Sequence, residues 1–300
     1  MTWLLALVGA AVVYQAVVIA LVALAWRTPR VTPRRTPANV GLAFDDVIIP
    51  TANGRRLAGW FVPGGGGPRP VVILVHGWGR TRERMLPYAE VLHPAGFHLL
   101  AFDARHHGAS DRDGHASMKK FSEDIIAVVS YLETRTEVDK ERIGVLGLSI
   151  GGSAAIHAAA HDPRIRAVVT VGSFAHPRDA MLAMGLGHPL LAPGMPLAFR
   201  IAEWRVGARF DDLAPERHIA GIAGRALLIH GEDDRVVPVE DLERLRECAR
   251  GRASAWRVAG RGHSDPHLAP GFALRVIAFL KEALGVDPAS ASPDAKAGAA

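Results

Sequence analysis

The motif Gly-Leu-Ser-Ile-Gly at residues 147–151 places Ser149 between two glycines. It follows an apolar run at 143–146, which predicts a buried strand, and precedes small residues at 152–160, which predict a helix. So tight a strand-to-helix turn strains its central residue, and side chains on the flanking positions would clash. The motif therefore predicts a nucleophile elbow, with the Ser149 hydroxyl exposed above a sheet at the N-terminus of a helix.

An acid and a histidine follow the elbow in an order that favours catalysis. Residues 226–230 predict another buried parallel strand, which ends at the acidic loop 232–234. Residues 253–259 predict a last strand, and a glycine loop with His263 comes next. Taken alone, Ser149 is explained equally well as a helix N-cap and as a catalytic nucleophile. The order serine, acid, histidine is the chain order of one fold that carries a Ser-His-Asp triad, and it favours a catalytic serine.

Together with two upstream loops, these segments resemble the alpha/beta hydrolase family from about Phe44 to Leu284. The upstream loops are His-Gly-Trp-Gly at 76–79 and the loop at 103–110. Five matching segments in family order are far more specific than any one of them. The resemblance implies an α/β fold with a mostly parallel sheet, helices on both faces and a cap inserted after the sixth strand. The sheet is expected to be antiparallel only near its start, where Asn53-Gly54 predicts a hairpin turn.

The same resemblance implies roles for individual residues. Ser149 is the expected nucleophile, His263 the general base and acid, and Asp234 the orienting carboxylate, with Asp233 as the alternative. The oxyanion hole is expected at the backbone N–H groups of Trp78 and Ile150. Acyl transfer of this kind implies no cofactor and no metal.

One position departs from the family pattern. His106 stands where the family usually has glycine, in the loop after the fourth strand. If that position needs a positive φ, His106 is strained there. The loop is mainly structural in the family, so the departure leaves the expected triad intact, although it can alter a pocket wall. We call residues 76–79, which contain the Trp78 N–H of the expected oxyanion hole, the oxyanion loop. His76 is expected to brace this loop and not to transfer protons.

Residues 174–215 interrupt the alternation of strands and helices and are rich in Met, Leu, Pro and Gly. In the family this stretch commonly forms the cap over the active site. An apolar, Met-bearing cap predicts a small hydrophobic acyl substrate, an ester or a thioester. The alternative is that these residues only pack onto the domain. Two rival functions stay open, a serine peptidase of the same fold and a catalytically silent, membrane-tethered binding protein.

The N-terminal segment predicts a membrane anchor. No charge occurs between Trp3 and Trp26, and 24 helical residues span about 36 Å, enough to cross a bilayer. We assign residues 1–26 to a transmembrane helix and 27–43, which contain three prolines, to an extended linker. Four arginines follow the helix, so the catalytic domain is expected on the cytoplasmic side: Arg27, Arg30, Arg34 and Arg35. A cleavable signal peptide is the alternative, but a basic leading region is lacking and the apolar run is too long.

The remaining features set limits on other functions. The net charge of +5 is spread without a nucleic-acid-binding motif, so nucleic acid is not an expected partner, and oligomeric state is left open. His157 and His161 lie four apart on a predicted helix, but a zinc site needs a further ligand, so no metal site is predicted. Cys248 is expected to be inert packing. Residues 44–284 form the expected hydrolase domain, and 285–300 a disordered tail.

Overall fold

A computed structural model describes residues 1–286, so the predicted disordered tail lies outside the described residues from position 287 onward. Its centre is one eight-stranded sheet in the order β1-β2-β4-β3-β5-β6-β7-β8. The pairs β1/β2 and β2/β4 are antiparallel and all other pairs are parallel, which confirms the predicted sheet. The strands are β1 (Asp45–Thr51), β2 (Arg55–Val62), β3 (Arg69–Val75), β4 (His98–Phe102), β5 (Val138–Leu148), β6 (Ile165–Val171), β7 (Arg225–Gly231) and β8 (Ala253–Val258).

Helices cover both faces of this sheet. Packed on one face are α3 (Met118–Leu132), α4 (Ile150–His161) and α9 (Glu240–Cys248), and on the other α2 (Leu86–Leu92) and α10 (Phe272–Ala283). The central strands are therefore apolar on both sides, and the five residues 71–75 of β3 are all fully buried. Helix α3 begins four residues before the predicted start at Ser122, because the Ser117 hydroxyl accepts a hydrogen bond from the Lys120 N–H and caps it.

The segment between β6 and β7 forms a set of short helices, which we call the cap. It contains α5 (Pro177–Met181), α6 (Met195–Val206), α7 (Phe210–Leu213) and α8 (Pro215–His218). A π turn at Leu182–Leu186 and a 3₁₀ helix at Pro189–Gly194 separate α5 from α6. Proline and glycine at these positions prevent one continuous helix, so the segment folds as short pieces.

The N-terminal helix α1 (Thr2–Ala25) is long and apolar enough to cross a membrane. Its first half is exposed, whereas Val18 and Val22 are buried against apolar residues of the cap. The Tyr14 hydroxyl donates to the Leu190 carbonyl (2.7 Å), and the Gln15 Nε2 donates to the Gly194 carbonyl (3.0 Å). The sequence did not indicate this contact, which makes the second half of α1 part of the cap's own packing.

The segment after α1 is held against the domain. The Arg30 side chain donates to the carbonyls of Gly108 (2.9 Å) and Ser110 (3.0 Å), in the loop after β4. A short 3₁₀ helix at Pro37–Val40, started by its proline, then leads to the first strand. The Arg30 contacts hold the segment between α1 and β1 against the loop after β4.

Candidate active site

Ser149 occupies the turn between β5 and α4, with φ +52° and ψ −124°. This is a strained conformation for a residue with a side chain, as the motif predicted. A Cβ on Gly147 would lie 2.5 Å from the Gly151 carbonyl carbon, and one on Gly151 would lie 2.5 Å from the His76 carbonyl oxygen. Both glycines are therefore required by close backbone approach, Gly147 by the turn itself and Gly151 by the end of β3.

Asp234 and His263 come together at the carboxyl ends of β7 and β8. The His263 Nδ1 lies 2.7 Å from the Asp234 Oδ2. The other carboxylate oxygen, Oδ1, accepts hydrogen bonds from the N–H groups of Val236 (2.8 Å) and Val237 (2.9 Å). No described hydrogen bond joins the neighbouring Asp233 side chain to His263 within residues 1–286. Of the two acids that the sequence left open, the structure pairs Asp234 with the histidine.

The environment keeps the Asp234 carboxyl ionised. Burial alone would raise its pKa, because the side chain is fully buried. Hydrogen bonds from His230, His263 and the Val237 N–H outweigh that effect and hold the pKa of Asp234 well below its usual range. An ionised carboxylate accepts the Nδ1–H of His263, which leaves the lone pair on Nε2, the nitrogen that a general base uses.

His230 is a positioning residue that the sequence interpretation missed. Its Nε2 lies 3.0 Å from the Asp234 Oδ2 and 3.0 Å from the Val237 carbonyl oxygen. The signal in the sequence is the His-Gly pair at the end of β7. The structure shows that this histidine supports the buried carboxylate directly.

Ser149 and His263 line the same cavity, of about 240 Å³. Within the described residues no hydrogen bond joins the Ser149 hydroxyl to His263. Hydrogen bonds of this kind are often long before substrate binds and shorten in the reacting complex. Asp234 and His263 are thus in direct contact, and Ser149 shares a cavity with His263.

The loop at residues 76–79 lies beside the elbow. A Cβ on Gly77 would be 3.5 Å from the Ser149 Cβ, so the loop runs directly past the serine. Within residues 1–286 the N–H groups of Trp78 and Ile150 donate no hydrogen bond to the chain. Both backbone donors are therefore free to bind an oxyanion formed at Ser149.

His76 holds this loop in place. Its Nδ1 lies 2.8 Å from the Gly77 carbonyl oxygen, and its Nε2 accepts the Ala104 N–H at 3.0 Å. Burial lowers the pKa of His76 to about 4, so its ring is neutral at pH 7. A neutral, fully buried ring with both nitrogens in use braces the loop and has no free site for proton transfer.

His106 has the positive φ that the glycine of the family pattern suggested, +72°. Its Nε2 accepts the Asp113 N–H at 2.9 Å, a bond that helps to offset the strain. The side chain lines a cavity of about 470 Å³ against α1, together with Val22 and Trp26. His106 lines neither the cavity shared by Ser149 and His263 nor a second cavity at Ser149, which lies under the cap.

A second cavity at Ser149, of about 310 Å³, is almost entirely apolar. Its wall comes from the cap, the elbow and the end of α1, and includes Trp26, Ile150, Met181, Met184 and Phe210. We call it the apolar cavity. Its volume lies near the lower end of the range for small-molecule sites, about 300–1,000 Å³. The structure thus places the predicted cap over Ser149.

The cavity shared by Ser149 and His263 has a different character, and we call it the basic cavity. Arg80, Arg84 and Tyr88 line it. The Tyr88 hydroxyl is buried and has no hydrogen-bond partner among residues 1–286. Sequence reasoning missed this polar side, although the arginines that follow the oxyanion loop gave a signal.

Comparison with known families agrees with this geometry. The sequence pattern of the family described as serine aminopeptidase, S33, matches residues 66–220, more than half of the chain. That range includes the oxyanion loop, the elbow and the cap, and ends before Asp234 and His263.

Among individual relatives, two are named as hydrolases and one is uncharacterized. The solved structure of the esterase Pf2001 of Pyrococcus furiosus has a TM-score of 0.70 and 26% identity, over 86% of this chain and 100% of that chain. The chain is 31% identical to a thiohydrolase of Aspergillus aculeatus over 139 residues, 45% of this chain and 43% of that protein. It is 29% identical to an uncharacterized protein of Mycobacterium tuberculosis over 244 residues, 81% of this chain and 80% of that protein.

Proposed function

Because the chain belongs to the serine aminopeptidase S33 family of alpha/beta hydrolases, we propose that it is a serine hydrolase that cleaves a carboxylic ester or thioester. The observation that carries this proposal is the position of Ser149, strained at the elbow between the apolar cavity and His263. The names of two relatives, an esterase and a thiohydrolase, support the same class of reaction.

The reaction follows from the groups around Ser149. The His263 Nε2 takes the proton of the Ser149 hydroxyl as its oxygen attacks the acyl carbonyl carbon. The oxyanion that forms accepts hydrogen bonds from the N–H groups of Trp78 and Ile150, each worth about 3 kcal/mol in the transition state. The leaving group takes the proton from His263, and water then releases the acyl group by the same steps. Ionised Asp234 stabilises the imidazolium throughout.

The two cavities suggest which part of the substrate lies where. We place a hydrophobic acyl chain in the apolar cavity, where methionine side chains can adapt to its shape. The leaving group then lies in the basic cavity, where Arg80, Arg84 and the unpaired Tyr88 hydroxyl favour a group with hydrogen-bond acceptors. An aminopeptidase would need a carboxylate for the substrate's free amine, and none of the residues that line these two cavities has one.

Filling the apolar cavity should shorten the acyl chain that the enzyme accepts. Ala180 is buried and lines this cavity. The variant for the test is Ala180→Phe. We expect kcat/KM for decanoyl and longer esters to fall at least about 10-fold, since a ring then occupies their site, while acetyl and butyryl esters keep their rates. The measurement is a chain-length series of p-nitrophenyl esters, with acyl thioesters and aminoacyl anilides beside it.

The matched control is Ala183→Phe, an exposed position in the same part of the cap, which should leave the chain-length profile unchanged. Equal losses for all chain lengths in Ala180→Phe would place the acyl chain elsewhere. Hydrolysis of the anilides alone would replace the esterase proposal with the peptidase.

The protein is also proposed to be anchored in a membrane by α1, with a membrane-derived hydrophobic substrate. Trp26, at the end of α1, lines the apolar cavity, so the anchor and the site are adjacent. Leu190 and Leu197 of the cap are exposed beside the half of α1 that packs there, and apolar side chains at that position suit a lipid surface. The arginines after α1 favour a cytoplasmic catalytic domain.

Anchoring is testable without disturbing the cap. Leu5 and Val12 are exposed on the half of α1 that contacts no cap residue. Arginine at both positions should move the protein from the membrane fraction to the soluble fraction, since one arginine at a helix centre costs about 2.5–3.5 kcal/mol of insertion free energy. Leu274→Arg, at an exposed position of α10, is the control and should stay in the membrane.

A C-terminal reporter that fluoresces only in the cytoplasm gives the orientation in the same experiment. A bright wild-type fusion in the membrane fraction is the expected result. A dark fusion would reverse the orientation, and a soluble wild type would remove the anchor.

A further inference from the structure

Three histidines converge on the surface of the domain, away from Ser149. His157 and His161 lie on one face of α4, and His218 ends α8. Their ring centroids are 4.3 Å apart for His157 and His161, 4.6 Å for His157 and His218, and 5.1 Å for His161 and His218. A ring nitrogen of each lies within 4.8 Å of a ring nitrogen of the other two. The further ligand that the sequence did not supply for the helical pair comes from α8.

Each of these rings has at least one nitrogen engaged by a neighbouring group, and the backbone of Asp212 also lies beside the His157 ring. The His157 Nδ1 lies 2.8 Å from the Ser122 hydroxyl, and the His161 Nδ1 lies 2.7 Å from the His157 carbonyl oxygen. The His218 Nε2 lies 2.8 Å from the Asp212 carbonyl oxygen. A carbonyl only accepts, so those nitrogens of His161 and His218 carry the hydrogen and the opposite nitrogens carry a lone pair. Histidines that bind metals have this outer hydrogen bond in almost every case.

The charge state of the cluster fits metal ligands. Burial, and then the neighbouring rings of His218 and His161, lower the pKa of His157 to about 3. Burial also lowers the pKa of His218. Neutral imidazole is the form that coordinates a metal, and burial favours that form in both rings.

We propose that His157, His161 and His218 form a binding site for a divalent cation of the zinc class, with water as the fourth ligand. Three imidazoles are a ligand set that zinc accepts in tetrahedral geometry, with Zn–N distances of about 2.0–2.1 Å. Such distances put the ligand nitrogens about 3.4 Å apart. The side chains of His161 and His218 are exposed or half-buried and can close by the remaining ångström or so through rotation about their side-chain bonds.

The ion would connect the cap to the helix that carries the elbow. Helix α4 begins directly after Ser149, and α8 is the last helix of the cap. His157 lies eight residues from Ser149, about 12 Å along the helix, so the ion is a structural tie and not part of the hydrolytic reaction. The site is independent of the proposed function.

The test is a titration of the full chain, stripped with a chelator, with ZnCl₂. We expect one ion per chain, a rise in Tm with excess Zn²⁺, and the visible spectrum of tetrahedral Co²⁺ when cobalt replaces zinc. His161→Ala and His218→Gln should each weaken binding at least about 100-fold. Ser122→Ala should weaken it about 10-fold, because it frees the His157 ring without removing a ligand.

His188→Ala, at an exposed histidine of the cap, is the control and should bind like the wild type. Melting curves recorded without metal show whether each variant is folded, and the exposed His161 makes its alanine variant the decisive one. Absence of binding to the folded wild type, or equal affinity in wild type and His161→Ala, would overturn the proposal.

Discussion

Replacement of Ser149 by alanine is expected to lower kcat for ester hydrolysis by at least about 10⁴-fold while the protein stays folded. The loss follows from the geometry, because among residues 1–286 Ser149 is the one hydroxyl-bearing residue that lines both cavities, whereas Ser117 lines only the apolar cavity and Ser264 only the basic cavity. The two backbone donors and the apolar cavity stay in place, so a small residual rate and substrate binding should persist. Labelling by a fluorophosphonate probe, which needs an activated serine, should be lost completely.

A glycine at the same position provides a control for backbone strain. Both variants lack the hydroxyl, but the φ of +52° strains alanine and not glycine. Ser149→Gly should therefore be more stable than Ser149→Ala by about 1 kcal/mol, measured by urea unfolding, and equally inactive. Retained hydrolysis in either variant would remove Ser149 from the reaction. An unlabelled but folded wild type would favour the binding protein.

The parts of this molecule that were predictable from sequence are those specified by local chemistry. Gly147 is required by the backbone of Gly151, four residues further on, so this part of the elbow is specified within the motif. Gly151 is required by the His76 carbonyl at the end of the neighbouring strand β3, which the family pattern and not the motif's own geometry anticipates. The strands are continuous apolar runs because both faces of the sheet are covered. The family resemblance supplied the chain order that selects Asp234 and His263, and their contact agrees with it.

The parts that were not predictable depend on which distant residues meet. An apolar helix such as α1 looks the same in sequence whether it is fully in a membrane or packs half of its length on a cap. His218 is separated from His157 by the whole cap, so no spacing rule relates them. The same holds for Tyr88, whose unpaired hydroxyl only the folded structure reveals.

The second large effect is expected for Asp234→Asn, which should lower kcat by about 10⁴-fold. An ionised carboxylate accepts the Nδ1–H of His263 and thereby leaves a lone pair on Nε2. An asparagine that keeps its carbonyl on the N–H groups of Val236 and Val237 must turn its NH₂ group toward His263. That donor favours the opposite tautomer, in which Nε2 carries the hydrogen and cannot accept the Ser149 proton. Asp233→Asn, at the exposed neighbouring acid, is the matched control and should keep its rate.

The same substitution should also change how stability depends on pH. The pKa of Asp234 is held below its usual value in the folded protein, so the ionised carboxylate stabilises the fold above the unfolded-state pKa, about 3.9. That contribution is lost as pH falls through this value toward the lower folded-state pKa. The Tm difference between wild type and Asp234→Asn should therefore be large at pH 6 and shrink toward pH 3. A difference that is constant with pH would mean that the Asp234 pKa is the same in the folded and unfolded states. A wild type that gains stability relative to Asp234→Asn as pH falls would mean that the buried carboxyl is neutral in the folded protein, and either result would contradict the ionised carboxylate.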